Sequence, residues 1–85
     1  MGRDPIVANH AFKHGLLKED ILHAWRNAYI TRERIGENER EHLSIGPDRK
    51  GRDLQIVFAW NREEETWLIY HAMPLTKGVR NETEI

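Results

Sequence analysis

The stretch from Arg52 to Ala72 limits what this chain can fold into more than any other. Its first arm runs Arg52-Asp53-Leu54-Gln55-Ile56-Val57-Phe58-Ala59-Trp60, and its second runs Thr66-Trp67-Leu68-Ile69-Tyr70-His71-Ala72. Both arms are rich in β-branched and aromatic residues and hold no Pro or Gly, and the polar link Asn61–Glu65 has the length of a hairpin loop. A helix is the rival reading, but Leu54, Ile56, Phe58 and Trp60 alternate at period two, which suits a strand. Two registers are open. If Asn61 pairs with Thr66, then Trp60 faces Trp67, Phe58 faces Ile69 and Ile56 faces His71. One residue more in the loop pairs Trp60 with Thr66 and puts His71 on the face of Gln55, Val57 and Ala59. The first matches apolar partners better and is the expected one.

Eighty-five residues form one domain with one modest core, expected over about residues 5–73, with 74–85 as a polar tail. Charged residues make up 32% of the chain, yet the formal net charge is −1, which argues against reliance on a general phosphate-attracting field. The chain has no cysteine, so disulfides and thiolate metal sites are excluded. No apolar run approaches the roughly 20 residues that span a bilayer, and no signal peptide is seen; a soluble, cytoplasmic protein without membrane contact is expected.

Around the hairpin the chain reads as follows. Asp4-Pro5 has the form of a helix start, with Val7, Ala8, Ala11 and Phe12 as its apolar stripe and Gly15 as a left-handed stop. Lys18 to about Asn27 is a second helix whose buried face is read as Ile21, Leu22, Trp25, Ala28 and Tyr29; Leu17 sits at its cap position and cannot cap. His23 and Arg26 fall off that stripe, toward solvent or a partner. Ala28–Ile35 is an edge strand guarded by charge, Gly36–Arg40 a turn, and Glu41–Ile45 a short strand with Leu43 and Ile45 on one face. Pro74 blocks simple continuation of the last strand. The expected class is α+β: two N-terminal helices packed on a three- or four-stranded antiparallel sheet.

Chemistry is concentrated in few places. Arg49, Lys50 and Arg52 lie on a loop bracketed by Gly46 and Gly51, where backbone N–H groups and guanidinium forks suit a phosphate; Asp48 and Asp53 make a solvated turn the competing reading. His71 and His42 are candidate acid–base groups, although a lone histidine in such a strand is more often a hydrogen-bonded structural residue. His10 and His14 stand four apart, as helical metal pairs do, but no third ligand follows in sequence and a structural or surface role is expected. Glu37, Glu39, Glu41 and Glu63–Glu65 read as solubilising turn residues. No Ser-His-Asp order, HExxH, Walker loop or dinucleotide fingerprint is present.

Lys13-His14-Gly15-Leu16, then Glu19-Asp20-Ile21 and an aromatic helix face, resembles the "KHG(V/L)…EEA" opening of BrnT-type toxins. Leu43-Ser44-Ile45-Gly46 is similar to that family's "ITIG", Gly51-Arg52 with the apolar run to its "GR-LLVVVF", and Ile69–Ala72 to its "IISA". The ordered set covers about residues 9–73. Where the family continues into an Arg-rich C-terminal helix, this chain has Met73-Pro74 followed by Lys77 and Arg80.

The resemblance implies a RelE-like fold and an endoribonuclease toxin of a type II toxin–antitoxin pair. Such an enzyme uses no metal or cofactor and is neutralised in a hetero-oligomer with a cognate DNA-binding antitoxin. Cleavage then proceeds by attack of an RNA 2′-OH on the adjacent phosphorus. Arg49 and Arg52 are the expected phosphate clamps and His71 the acid or base, with Lys50, Arg26 and His42 as further RNA contacts. A non-catalytic, toxin-like module that binds or regulates a protein is the alternative, favoured by the near-neutral charge and altered C-terminus.

Overall fold

A computed structural model of the chain describes residues 4–36 and 39–84. Among these residues five strands, β1 (Ile6–Val7), β2 (Ile30–Gly36), β3 (Glu39–Pro47), β4 (Asp53–Asn61) and β5 (Thr66–Pro74), form one sheet in the order β1-β5-β4-β3-β2. Strands β2 to β5 pair as an antiparallel meander, and β1 adds to β5 in parallel. Two α-helices accompany them: α1 (Lys18–Arg26) before β2, and α2 (Lys77–Thr83) after β5. The fold is therefore a strand-dominated mixed sheet with its helices at either end of the chain. It is not the expected N-terminal helix pair on a three- or four-stranded antiparallel sheet.

The first expected helix is where that reading fails. Ile6 and Val7 pair with Leu68 and Ile69, and only a 3₁₀ turn follows at Asn9–Phe12. An apolar pair next to an open sheet edge gains ladder hydrogen bonds that a single helical turn cannot match. Asp4 does not cap a helix; its carboxylate takes Arg26 Nε at 3.1 Å. Gly15 does adopt the left-handed conformation, at φ 76°, closing the turn by donating to Phe12 O.

The second helix forms, but it ends at Arg26, so Ala28 and Tyr29 of the expected stripe fall beyond it and Tyr29 is exposed, while Ala24 joins the buried face. Ile21 and Ala24 are fully buried, Trp25 packs half-buried on the same core, and no side chain caps the helix at Leu17. Its face meets Leu54, Ile56, Phe58, Ile69 and Ala72, which all point to one side of β4 and β5. Burying a side chain the size of Ile21 stabilises the fold by about 2–3 kcal/mol.

The hairpin opens in the preferred register, with Asn61 opposite Thr66, Trp60 opposite Trp67 and Phe58 opposite Ile69. A bulge then intervenes. Val57 pairs with His71 and Ile56 with Ala72, which leaves Tyr70 as the extra residue on β5. His71 is thereby turned away from Ile56 and onto the face opposite α1, beside Val57.

On that opposite face Leu43 and Val57 are also buried. The segment expected as a polar tail returns to it. Thr76 caps α2 by accepting from Val79 N, and both its N and Oγ1 donate to Gln55 Oε1; Thr83 is buried, and Arg32 Nη2 donates to its carbonyl at 3.4 Å. Pro74 ends β5 without preventing a helix three residues later. Gly36, Glu39 and Arg40, expected in a turn, belong to the paired strands, while residues 37 and 38 (Glu37 among the expected solubilising residues) lie outside the described ones. Among the described residues no helix is long and apolar enough to cross a membrane.

Candidate functional site

The basic loop is built around an internal anion. Asp48, only 2% exposed, accepts Lys50 N at 2.9 Å and Arg52 N at 2.8 Å on Oδ1, and Arg52 Nε at 3.0 Å on Oδ2. Gly51, at φ 84°, supplies the left-handed step that turns these N–H groups inward. Burial pushes the Asp48 carboxyl up, but the backbone N–H groups of Arg52 and Lys50 and the Arg52 guanidinium outweigh it and hold it below the usual carboxylate range. The donors expected to receive a phosphate thus already hold a carboxylate.

Arg49 is committed in the same way, to α1. Its backbone N and Nε donate to Asp20 Oδ1 at 3.1 and 2.9 Å, which lowers the Asp20 pKa and raises that of Arg49. Arg26 pairs with Asp4 and is likewise raised by it. The Arg52 side chain remains 59% exposed and Lys50 is exposed. The loop is therefore a clasp between α1 and the sheet with part of its charge still facing solvent.

His71 lies elsewhere. Its pairing partner Val57 is five positions along the chain from Arg52, about 17 Å at roughly 3.4 Å per residue. The structure does not bring Arg49, Arg52 and His71 together. His42, opposite Phe58 on β4, points to the α1 side, whereas His71, opposite Val57, points to the other.

What surrounds His71 is a cavity of about 290 Å³ lined by His10, Glu41, Val57, Tyr70 and His71. Three separate features assemble it. Docking of β1 beside β5, continued by the Ala8 N to Ile69 O bond, delivers His10 on the 3₁₀ turn. The bulge turns His71 inward and displaces Tyr70, whose hydroxyl donates to Glu41 Oε1 at 3.0 Å. His14 packs edge-on against His71 with ring centres 5.6 Å apart. Glu41, expected in a solubilising turn, is instead 7% exposed within β3; Glu63–Glu65 do occupy an exposed turn. The His10–His14 pair finds no third ligand: among the described residues no group of three or more His, Cys, Asp or Glu is placed to hold a metal.

In the sequence His71 stands out as a candidate and His10 as half of a helical pair, whereas Tyr70 and Glu41 carry no such mark, although each is the immediate neighbour of a candidate histidine. Only the bulge, which has no mark in the sequence, makes Tyr70 and His71 line one cavity. A second concavity lies on the α1 side, where His42 stacks on Phe58 (ring centres 5.2 Å, 19°) beside Trp25, Trp67, Thr31 and Ser44.

Comparison with known proteins returns no matching family model, no matching curated protein and no matching solved structure.

Proposed function

We propose that this protein is a small endoribonuclease of the BrnT-like toxin kind, acting in the cytoplasm and held inactive by a cognate DNA-binding antitoxin. The observation that carries this reading is the convergence of two imidazoles, a phenol and a carboxylate on one cavity. One imidazole, His71 or His10, removes the proton from a 2′-OH; that oxygen attacks phosphorus, and the other imidazole protonates the departing 5′-oxygen. The products are a 2′,3′-cyclic phosphate and a free 5′-hydroxyl, so atoms and protons balance without a metal or cofactor. Glu41, through Tyr70, fixes the phenol at the cavity wall. Arg52 and Lys50 contact the RNA backbone away from the cleaved bond. The helix α2 after β5 adds support, because the resembled family has a C-terminal helix at that place.

A second reading has its own observation. Arg49 and Arg52, the expected phosphate clamps, are paired with Asp20 and Asp48, which favours a non-catalytic, toxin-like module that binds a protein partner. One experiment separates the two. Purified protein is incubated with long RNA in EDTA, and the product ends are identified. Cyclic phosphate ends that disappear in both His71→Ala and His10→Ala support the enzyme. Intact RNA, together with stable capture of the product of a neighbouring gene, supports the module.

A further inference from the structure

We infer that the concavity on the α1 side of the sheet is a nucleobase-binding site. It measures about 270 Å³ and is lined by Trp25, Thr31, His42, Ser44, Phe58 and Trp67. Two buried polar atoms in this lining, Ser44 Oγ and His42 Nδ1, have no hydrogen-bond partner among the described residues, and Ser44 as a whole is 1% exposed. Buried polar atoms are nearly always paired, so two on one wall of one cavity call for an occupant that pairs them.

The other walls specify its chemistry. Phe58 and His42 lie nearly parallel, Trp67 stands at 76° to His42 and 86° to Phe58, and Trp25 at 81° to Phe58. These rings pack on one another at centre distances of 4.4 to 5.3 Å, and the parts of them that line the cavity give a flat aromatic guest an aromatic wall. Among the described residues no Lys or Arg lines the cavity, so it is not built for a phosphate or carboxylate. A volume of this size takes one ring system rather than a folded peptide. A planar heterocycle with a hydrogen-bonding edge fits both demands: its faces meet the exposed parts of the rings and its edge pairs with Ser44 and His42 once small side-chain rotations turn these two buried atoms to the cavity; the two residues alternate with Leu43 between them on β3.

This goes beyond the ribonuclease reading, because the site lies on the opposite face from His71. The base comes from a free nucleotide or from a single-stranded RNA, and the test tells these sources apart. Quenching of the fluorescence of Trp25 and Trp67 is titrated with AMP, GMP, CMP, UMP, ribose 5-phosphate and a short single-stranded RNA. Saturable quenching by a mononucleotide but not by ribose 5-phosphate is expected; quenching by the RNA alone assigns the base to a polymer and also supports the site. Ser44→Ala is expected to weaken binding about 3- to 10-fold, the scale of one lost hydrogen bond, with a melting temperature unchanged or raised, since the hydroxyl has no partner in the fold. His71→Ala should bind a mononucleotide at this site as the parent does, since His71 lies on the opposite face, so loss of cleavage and loss of base binding are separable. The inference is overturned if no base-containing probe binds saturably, if ribose 5-phosphate binds equally well, or if Ser44→Ala leaves the affinity unchanged.

Discussion

Gly46 lies directly under the carbonyl of Ala24: a β-carbon added at Gly46 would stand 2.2 Å from that oxygen and 3.0 Å from Ala28 Cα. This contact sets how closely α1 approaches β3, and hence how far Ile21 and Trp25 sink into the sheet. Neither obstacle is a flexible side chain, so the helix itself must move. Gly46→Ala is expected to destabilise the protein by about 3 kcal/mol or more, at the upper end for overpacking. Urea unfolding at neutral pH measures it, and a loss under about 1 kcal/mol would show that α1 is not pinned there.

Trp25 meets Phe58 edge-on with ring centres 4.4 Å apart and joins the helix to the middle of the hairpin. Trp25→Ala should cost about 3–5 kcal/mol, a large share of the stability of a domain this small. An unchanged melting curve would remove Trp25 from the core.

The Asp48 clasp makes stability depend on acid. Its carboxyl titrates below the usual range in the folded protein, so the stabilisation is fully present above the unfolded value of about 3.9 and is lost as pH falls through the folded value. Asp48→Asn should therefore melt lower than the parent at pH 7, and the gap should narrow below about pH 4. A gap that stays constant with pH would mean that packing, not charge, is what Asp48 supplies.

For the proposed chemistry, His71→Ala and His10→Ala should each lower the cleavage rate about 10²–10⁴-fold without loss of fold. A substrate with one 2′-deoxy sugar at the cleaved step should be inert, and the same change elsewhere tolerated. Normal cleavage of that substrate would rule out attack by the RNA's own hydroxyl.

Arg52 precedes β4, five positions from the Val57 that pairs with His71, a span of about 17 Å at roughly 3.4 Å per residue. Arg52→Ala is accordingly expected to weaken RNA binding a few-fold and flatten its salt dependence, with turnover at saturating RNA nearly unchanged. If turnover instead fell by about two orders of magnitude or more, this guanidinium would belong at the reacting phosphate after all.

Much of the sheet was legible because its signals are local. Alternation at Leu54, Ile56 and Phe58, the polar turn before Thr66 and the stripe through Ile21 and Trp25 each lie within a few residues, so period and turn chemistry identify them. Thr76 is a local signal as well, a cap three residues before Val79 that the polar composition of 74–85 concealed. Ile6–Val7 carries no such mark; the same two residues suit a helix after Asp4-Pro5, and only the free edge of β5 makes them a strand. The bulge at Tyr70 is likewise decided by tertiary packing. Trp67 and Ile69 bury one side of β5 and Ala72 the same side three residues later, a spacing that a regular strand cannot satisfy. The extra residue reconciles them and sends His71 to the other face. The charges of Arg49 and Arg52 were plain in the sequence, but their freedom was not, because Asp20 comes from a helix and the inward N–H groups around Asp48 from a turn that exists only once the chain has folded.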